Sequence, residues 1–167
     1  MKKIIFRIFL LLVLYFVGPN IIDAINLRFF ASPEDTLNRF YTEHDLAEDQ
    51  LKDSLILAGT KMVPLLEREI LKKDIPRRRY AIGTLGYLGN ENSLVVLEHI
   101  FHDESEEAYF RGDALLAIAS IDLLYAQKIA SQHLNDMNIA KYAREVLTTT
   151  TRLDQRSYCD ALFHRHW

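Results

Sequence analysis

The chain has 167 residues, of which 49% are hydrophobic and 26% are charged, so it can bury a sizeable core and disorder over most of its length is excluded. Its formal net charge of −3 is unevenly distributed, because residues 1–30 carry four basic side chains and one acidic side chain. The rest of the chain carries 16 basic and 22 acidic side chains. A body of that sign is a poor general binder of phosphate backbones, which argues against nucleic acid as a partner.

The amino-terminal residues have the pattern of a membrane-targeting segment. Lys2, Lys3 and Arg7 precede an unbroken apolar run from Ile8 to Val17. A helix from Ile4 to Ile22 would be roughly 28 Å long, close to the thickness of the hydrocarbon core, if the long side chain at position 7 reaches the headgroups.

We interpret residues 1–22 as an uncleaved signal anchor that forms a transmembrane helix. The alternatives are a cleaved signal peptide and a buried first helix of the domain. The nearest cleavage candidates end at Ala24 and Ala31, and both have a bulky residue where a small one is required. Basic residues before the apolar run predict a cytoplasmic amino end and an extracytoplasmic body. In a Gram-negative bacterium this would be an inner-membrane protein with a periplasmic body.

Two helix starts are predicted after this segment. Residues 23–41 form a connector in which Ser32 begins a Ser-Pro-Glu-Asp sequence. A capping hydroxyl, a first-turn proline and acids near the positive end of the dipole predict one short helix from there to Phe40. The capping-box spacing at Thr42 predicts a second, longer helix that ends at Gly59.

The body, residues 42–150, contains an internal repeat. Five positions recur with similar side chains 33 residues later: Arg78, Ala81, Thr84, Leu85 and Asp103 correspond to Arg111, Ala114, Ala117, Ile118 and Asp136. A fixed period of this size is typical of a solenoid, in which each helix pair buries its apolar side against its neighbours. Apolar residues follow helical spacing and no stretch alternates with period two, so the predicted fold is all-α.

About three helix hairpins and a half unit fit into this body. The second helices are expected near Val63, Leu94 and Ile129, and a last first helix is expected to break off at the threonines that begin at Thr148. Residues 151–167 are predicted to be a tail or a capping segment. Small residues are expected where neighbouring first helices approach most closely, at Ala81, Ala114 and Ala143.

The residues of the second hairpin resemble a known family. The pattern Arg78-x-x-Ala81-x-x-Thr84-Leu85-Gly86-x-Leu88-Gly89, followed by Leu94-x-x-Leu97, is similar to the HEAT repeat in its short bacterial form, also called the phycobilisome-lyase-type repeat. The resemblance covers about residues 42–150 and implies a right-handed α-solenoid that holds a protein, a peptide or occasionally a nucleic acid on a concave face. Glu48 and Ala140 replace the repeat arginine, which indicates capping units at both ends.

Equivalent positions on the second helices are expected to lie side by side on the concave face. They form two rows of polar residues, which we predict to bind the partner: Glu67, Glu98 and Ser131 in one row, and Arg68, His99 and Gln132 in the other. Such rows can hold an extended partner through many weak contacts. The alternative is a hydrated surface without a partner.

Other polar groups are assigned structural roles. The basic cluster Arg77-Arg78-Arg79 could meet a phosphate or an acidic partner, but we expect Arg78 to pair with acids or helix carbonyls between units, with Asp74 and Asp103 available. His99 and His102 are spaced to share a cation, yet two ligands do not make a site, and no metal is predicted.

The sequence contains no glycine-rich phosphate loop, nucleophile elbow or zinc-protease helix, so no catalytic residue and no cofactor are predicted. We predict a membrane-tethered, non-enzymatic scaffold for protein–protein interaction, with another protein as its partner. An immunity or inhibitor protein that guards the envelope against a toxin is one specific version of this role. The alternative is a lyase-like or chaperone accessory subunit that acts on another protein or a small ligand.

Overall fold

The structure is a computed structural model that describes residues 18–150 and 157–163. Over these residues the regular elements are helices and no strand occurs, so the prediction of an all-α chain is confirmed. The described residues divide into two compact units: residues 18–58 with 157–163 form the first, and residues 59–150 form the second. The division separates the two helices that the sequence pairs as its first hairpin.

The first unit is organised around a short central helix. Its helices are α1 at residues 18–30, α2 at Pro33–Thr42, α3 at Asp53–Ala58 and α10 at Tyr158–Phe163. All six residues of α3 are buried, because the end of α1, α2 and α10 each pack against it. Helix α1 is α-helical over residues 18–25 and continues as a π-helix over Asn26–Phe30.

The two helix starts predicted for this region have different outcomes. The start of α2 is confirmed, since the Ser32 hydroxyl accepts a hydrogen bond of 3.0 Å from the backbone N–H of Asp35. The longer helix predicted from Thr42 is wrong at its start, because Thr42 is the last residue of α2 and its hydroxyl donates back to the Asn38 carbonyl at 2.9 Å. The predicted end is confirmed, as Gly59 follows α3 with a left-handed φ of 77° that favours glycine.

The second unit contains six helices and two short 3₁₀ turns among its described residues. The helices are α4 at Val63–Glu69, α5 at Arg78–Leu88, α6 at Leu94–His102, α7 at Ala108–Ile121, α8 at Leu123–Gln132 and α9 at Ala140–Thr148. The 3₁₀ turns, Gly59–Met62 and Glu91–Ser93, precede α4 and α6. Helix α7 is central, because α5, α6, α8 and α9 all pack against it.

The closest approach of α5 to α7 depends on a glycine. The predicted small residues Ala81, Ala114 and Ala143 are fully buried. The tightest point lies farther along, where a Cβ added at Gly86 would be 2.7 Å from the Ala117 Cα. At the contact of α7 with α9, a Cβ at Gly112 would overlap the Tyr142 ring.

Most of the predicted signal anchor, residues 1–17, lies outside the described residues, as do residues 151–156 and 164–167 of the predicted tail. In the part of the chain that the structure does describe, no helix is long and apolar enough to cross a membrane.

Two alanine substitutions in α5 are expected to have opposite effects on stability. Gly86→Ala should lower the free energy of unfolding by about 1–3 kcal/mol, because its methyl group overlaps the α7 backbone. Gly83→Ala is the matched control: no atom lies within 4 Å of its added Cβ, so better helix propensity should stabilise the protein by about 0.5–1 kcal/mol. Unfolding of the full chain followed by circular dichroism measures both, and a Gly86→Ala protein as stable as the control would contradict this packing.

Candidate functional site

A buried arginine connects three parts of the second unit. The Arg78 Nε donates to the Ile70 carbonyl at the end of α4, at 2.8 Å. Its two terminal nitrogens donate to the two carboxylate oxygens of Glu106, both at 2.7 Å, and the side chains are 2% and 5% exposed. The guanidinium also lies over the Phe110 ring, 4.6 Å from the centroid. Arg78 therefore has the structural role that the sequence predicts.

The equivalent arginine of the next hairpin makes the same kinds of contact. The Arg111 Nε donates to the Phe101 carbonyl in the last turn of α6, at 2.8 Å. Its Nη2 lies 3.7 Å from the Asp136 carboxylate, which precedes α9. The two repeat arginines thus occupy corresponding surroundings, each between the end of one second helix and an acid ahead of the following first helix.

The acid that pairs with Arg78 differs from those that the sequence offers. Asp103 instead accepts hydrogen bonds from Ser105 and from the Lys73 ammonium, the latter at 3.0 Å. These bonds, the Ser105 hydroxyl first, hold the pKa of the Asp103 carboxyl well below its usual range. Asp103 and Glu106 lie in the same turn between α6 and α7. Lys73 therefore binds the beginning of that turn and Arg78 binds its end.

The basic cluster is largely neutralised by neighbouring acids. Arg79 binds Asp113 on α7 through two hydrogen bonds of 2.6 and 3.0 Å, which raise the pKa of its guanidinium. Together with the buried Arg78–Glu106 pair, this arrangement leaves two of the three arginines engaged in contacts within the fold. The cluster is therefore a poor phosphate site.

An open depression of about 530 Å³ lies on the surface of α6. The described residues that line it, called here the α6 face, are Val95, Glu98, His99, His102 and Asp103. The first four follow helical spacing on one side of α6, while Leu97, Ile100 and Phe101 are buried on the other side. Val95 is 75% exposed, so an apolar group lies among polar ones.

Only part of the two predicted rows meets at this depression. Glu98 and His99 line it, whereas Glu67 and Arg68 on α4 and the polar pair on α8, Ser131 and Gln132, are not among its lining residues. Arg68, His99 and Gln132 are all exposed. The Ser131 hydroxyl donates to the Lys128 carbonyl within its own helix, at 2.7 Å.

Both glutamates of the first row also make hydrogen bonds between hairpins. Glu67 accepts a hydrogen bond of 2.6 Å from the Ser93 hydroxyl, which precedes α6. Glu98 accepts from the Tyr125 hydroxyl on α8, and this bond raises the pKa of the Tyr125 phenol. Glu67 and Glu98 are thus each linked to a side chain of the following hairpin.

Histidines cluster near the end of α6 without forming a metal site. The His133 ring packs edge-on against Phe101, with centroids 4.9 Å apart, and its Nδ1 lies 3.0 Å from the Ile129 carbonyl. The His102 and His133 rings are 6.3 Å apart. Among the described residues, no group of three histidine, cysteine or acidic side chains is placed to hold a metal ion.

Sequence reasoning did not identify Val95 as part of the site. A signal was present, because the run Leu94-Val95-Val96-Leu97 is too apolar for a helix that buries a single stripe. At least one member of such a run must face solvent. Val95 is the exposed member of this run.

Comparison of the chain with protein-family models, with curated proteins and with solved structures finds no match in any of the three. The function is therefore inferred from the contacts of the chain's own residues.

The Arg78–Glu106 pair should make stability dependent on pH in the acid range. The hydrogen bonds from Arg78 lower the Glu106 pKa below its ordinary value of 4.5, so the unfolded chain takes up a proton first as the pH falls. The contribution of the pair to folding stability is complete above the ordinary pKa of 4.5. It is lost as the pH falls toward the lowered pKa of Glu106.

Glu106→Gln tests this dependence. At neutral pH the variant should lose about 3 kcal/mol of stability, because a buried cation is left without its counter-charge. Its stability should then fall less steeply than that of the unmodified protein as the pH is lowered from about 5. Thermal unfolding at several pH values measures how the stability of each protein depends on pH. The same pH dependence in both proteins would contradict the assignment of Glu106 as the ionised partner of Arg78.

Proposed function

We propose that the protein is a membrane-tethered, non-enzymatic scaffold that binds another protein through the α6 face. The observation that carries this proposal is the open depression of about 530 Å³ lined by Val95, Glu98, His99, His102 and Asp103. Protein interfaces combine an apolar centre with a polar rim, and this face has that composition on a small scale. It lacks the enclosure that is typical of small-molecule sites.

The polar groups of the α6 face are held in place before any partner arrives. Tyr125 holds the Glu98 carboxylate, while Lys73 and Ser105 hold that of Asp103. Fixed side chains lose less conformational entropy on binding than free ones, which favours affinity at a given contact area. His99, which is exposed, adds a side chain that can donate or accept a hydrogen bond.

The architecture that we propose for the body is a right-handed solenoid of HEAT-like hairpins, about three and a half in number. Two observations on the second unit support it. The first helices α5, α7 and α9 pack in order, α5 on α7 and α7 on α9. Arg78 and Arg111 make corresponding contacts to the preceding second helix and to an acid before the following first helix.

The tether that we propose is the segment of residues 1–22, with the body on the extracytoplasmic side of the membrane. The support lies in the sequence, where Lys2, Lys3 and Arg7 precede the apolar run Ile8–Val17. Retention at the membrane would keep the α6 face in the extracytoplasmic compartment, where it meets a membrane protein or a soluble protein of that compartment.

A substitution on the α6 face tests the binding role. The full chain, extracted in mild detergent, should capture a stoichiometric protein partner that can then be purified and titrated by calorimetry. His99→Glu should weaken binding of that partner at least about tenfold, equivalent to 1.4 kcal/mol, because it removes the imidazole from the α6 face and leaves any hydrogen-bonding group that pairs with it unsatisfied.

The control is Lys141→Glu at an exposed position of α9, which changes the charge by two units, against one unit for His99→Glu with histidine counted as neutral. It should leave the affinity unchanged. Equal affinities of the two variants and the unmodified chain would refute the assignment of the α6 face.

A further inference from the structure

Helix α1 exposes an apolar surface of unusual size for its length. Five large apolar side chains, called here the α1 outer face, are exposed: Ile21, Ile22, Ile25, Phe29 and Phe30. Ile22 is 69% exposed, Phe29 is 74% exposed and Phe30 is 78% exposed. Positions 21, 22, 25 and 29 fall on one side of a helix, so the exposed groups form a continuous stripe.

The opposite side of α1 is already used by the fold. Asn20, Ala24 and Leu27 are buried, and the Arg28 guanidinium donates to the Ala58 carbonyl at the end of α3, at 3.2 Å. Helix α1 is therefore attached to the first unit by one side and exposes an apolar stripe on the other. An exposed apolar stripe of this kind marks a contact with another protein or with lipid.

The π-helical end of α1 enlarges the outer face. The Ala31 N–H donates to the Asn26 carbonyl, five residues back, at 2.8 Å. In α-helical register the residue three positions after buried Leu27 would turn toward the inner side. A π-helical turn contains more residues than an α-helical one, so Phe30 remains on the outer side of the helix next to Phe29.

The charges around α1 suit a phospholipid surface. The one acidic residue between positions 18 and 30, Asp23, accepts two hydrogen bonds of 2.6 and 2.9 Å from Arg39 on α2. Its charge is thereby compensated within the fold. The apolar run Ile8–Val17 directly precedes α1, so the proposed tether would bring the α1 outer face to the bilayer surface.

We propose that the α1 outer face lies in the interfacial layer of a phospholipid bilayer, continuous with the apolar run Ile8–Val17. This inference rests on the proposed membrane tether and extends it into the folded body. Residues 18–22 would end the proposed tether, and the remaining part of α1, residues 23–30, would extend about 12 Å farther, into the interfacial layer. Because α1 packs on α3, this contact would orient the first unit against the membrane.

The test uses the full chain with Cys159 replaced by serine and a single environment-sensitive fluorophore on an introduced cysteine. The vesicles contain equal parts of phosphatidylethanolamine and phosphatidylglycerol. Labels at Ile25, Phe29 and Phe30 probe the outer face beyond the proposed anchor. A label at Leu124 is the matched control, because this apolar residue on α8 is 79% exposed. A label at the exposed polar residue Asn38 on α2 is a second control.

If the proposal holds, the three α1 labels shift their emission to the blue and are quenched by lipids that carry a nitroxide. They also lose quenching by aqueous iodide, while both control labels keep it. The proposal is overturned if the α1 labels are quenched by iodide as strongly as the controls. It is also overturned if they are shielded from iodide and from lipid alike, since residues 1–17 or a second copy of the chain would then cover the face.

Flotation of the same vesicles separates this inference from the proposed function. A chain that floats with lipid but whose α1 labels report water refutes the contact of α1 and leaves the tether standing. A chain that does not float with the vesicles refutes both. Circular dichroism of each labelled protein confirms that the substitution of an exposed side chain has left the helices intact.

Discussion

The buried guanidinium of Arg78 is the interaction on which the second unit depends. A charge removed from water is costly unless its hydrogen-bonding groups are satisfied, and here one carbonyl and one carboxylate satisfy three of its nitrogens. The carbonyl belongs to the end of α4 and the carboxylate to the turn before α7. The position of α5 between them is therefore specified by geometry as well as by the burial of apolar side chains. Arg111 makes a similar but looser connection for α7, with one hydrogen bond to a carbonyl and an ion pair of 3.7 Å.

One turn contributes both to the stability of the second unit and to the proposed binding surface. Glu106, which pairs with Arg78, is three residues from Asp103, which lines the α6 depression. Glu98 on α6 also has two roles, because it accepts a hydrogen bond from Tyr125 on the next hairpin and lines the depression. A surface built from groups that also connect hairpins is rigid. Rigidity of this kind favours selective binding over adaptation to many partners.

The sequence predicts the helical class and the role of the repeat arginines well, because period and apolar spacing are local signals. The acids expected for Arg78, Asp74 and Asp103, are not its partner, which is Glu106, since the pairing depends on the path of the turn after α6. Thr42 had a strong local pattern for a helix start, but the preceding helix α2 extended over it. The packing of α10 on α3 and the π-turn of α1 arise from contacts between distant parts of the chain, which one sequence does not reveal.

The turn between α6 and α7 has a consequence for how the protein can vary in length. Lys73 and Arg78 bind side chains at both ends of this turn, so an inserted residue would pull either Asp103 or Glu106 out of reach. The corresponding turn after α8 is held more loosely, with 3.7 Å between Arg111 and Asp136, and Met137 within it is 95% exposed. Loop extensions during evolution, and peptide tags added by design, would therefore be accommodated after α8 and rejected after α6.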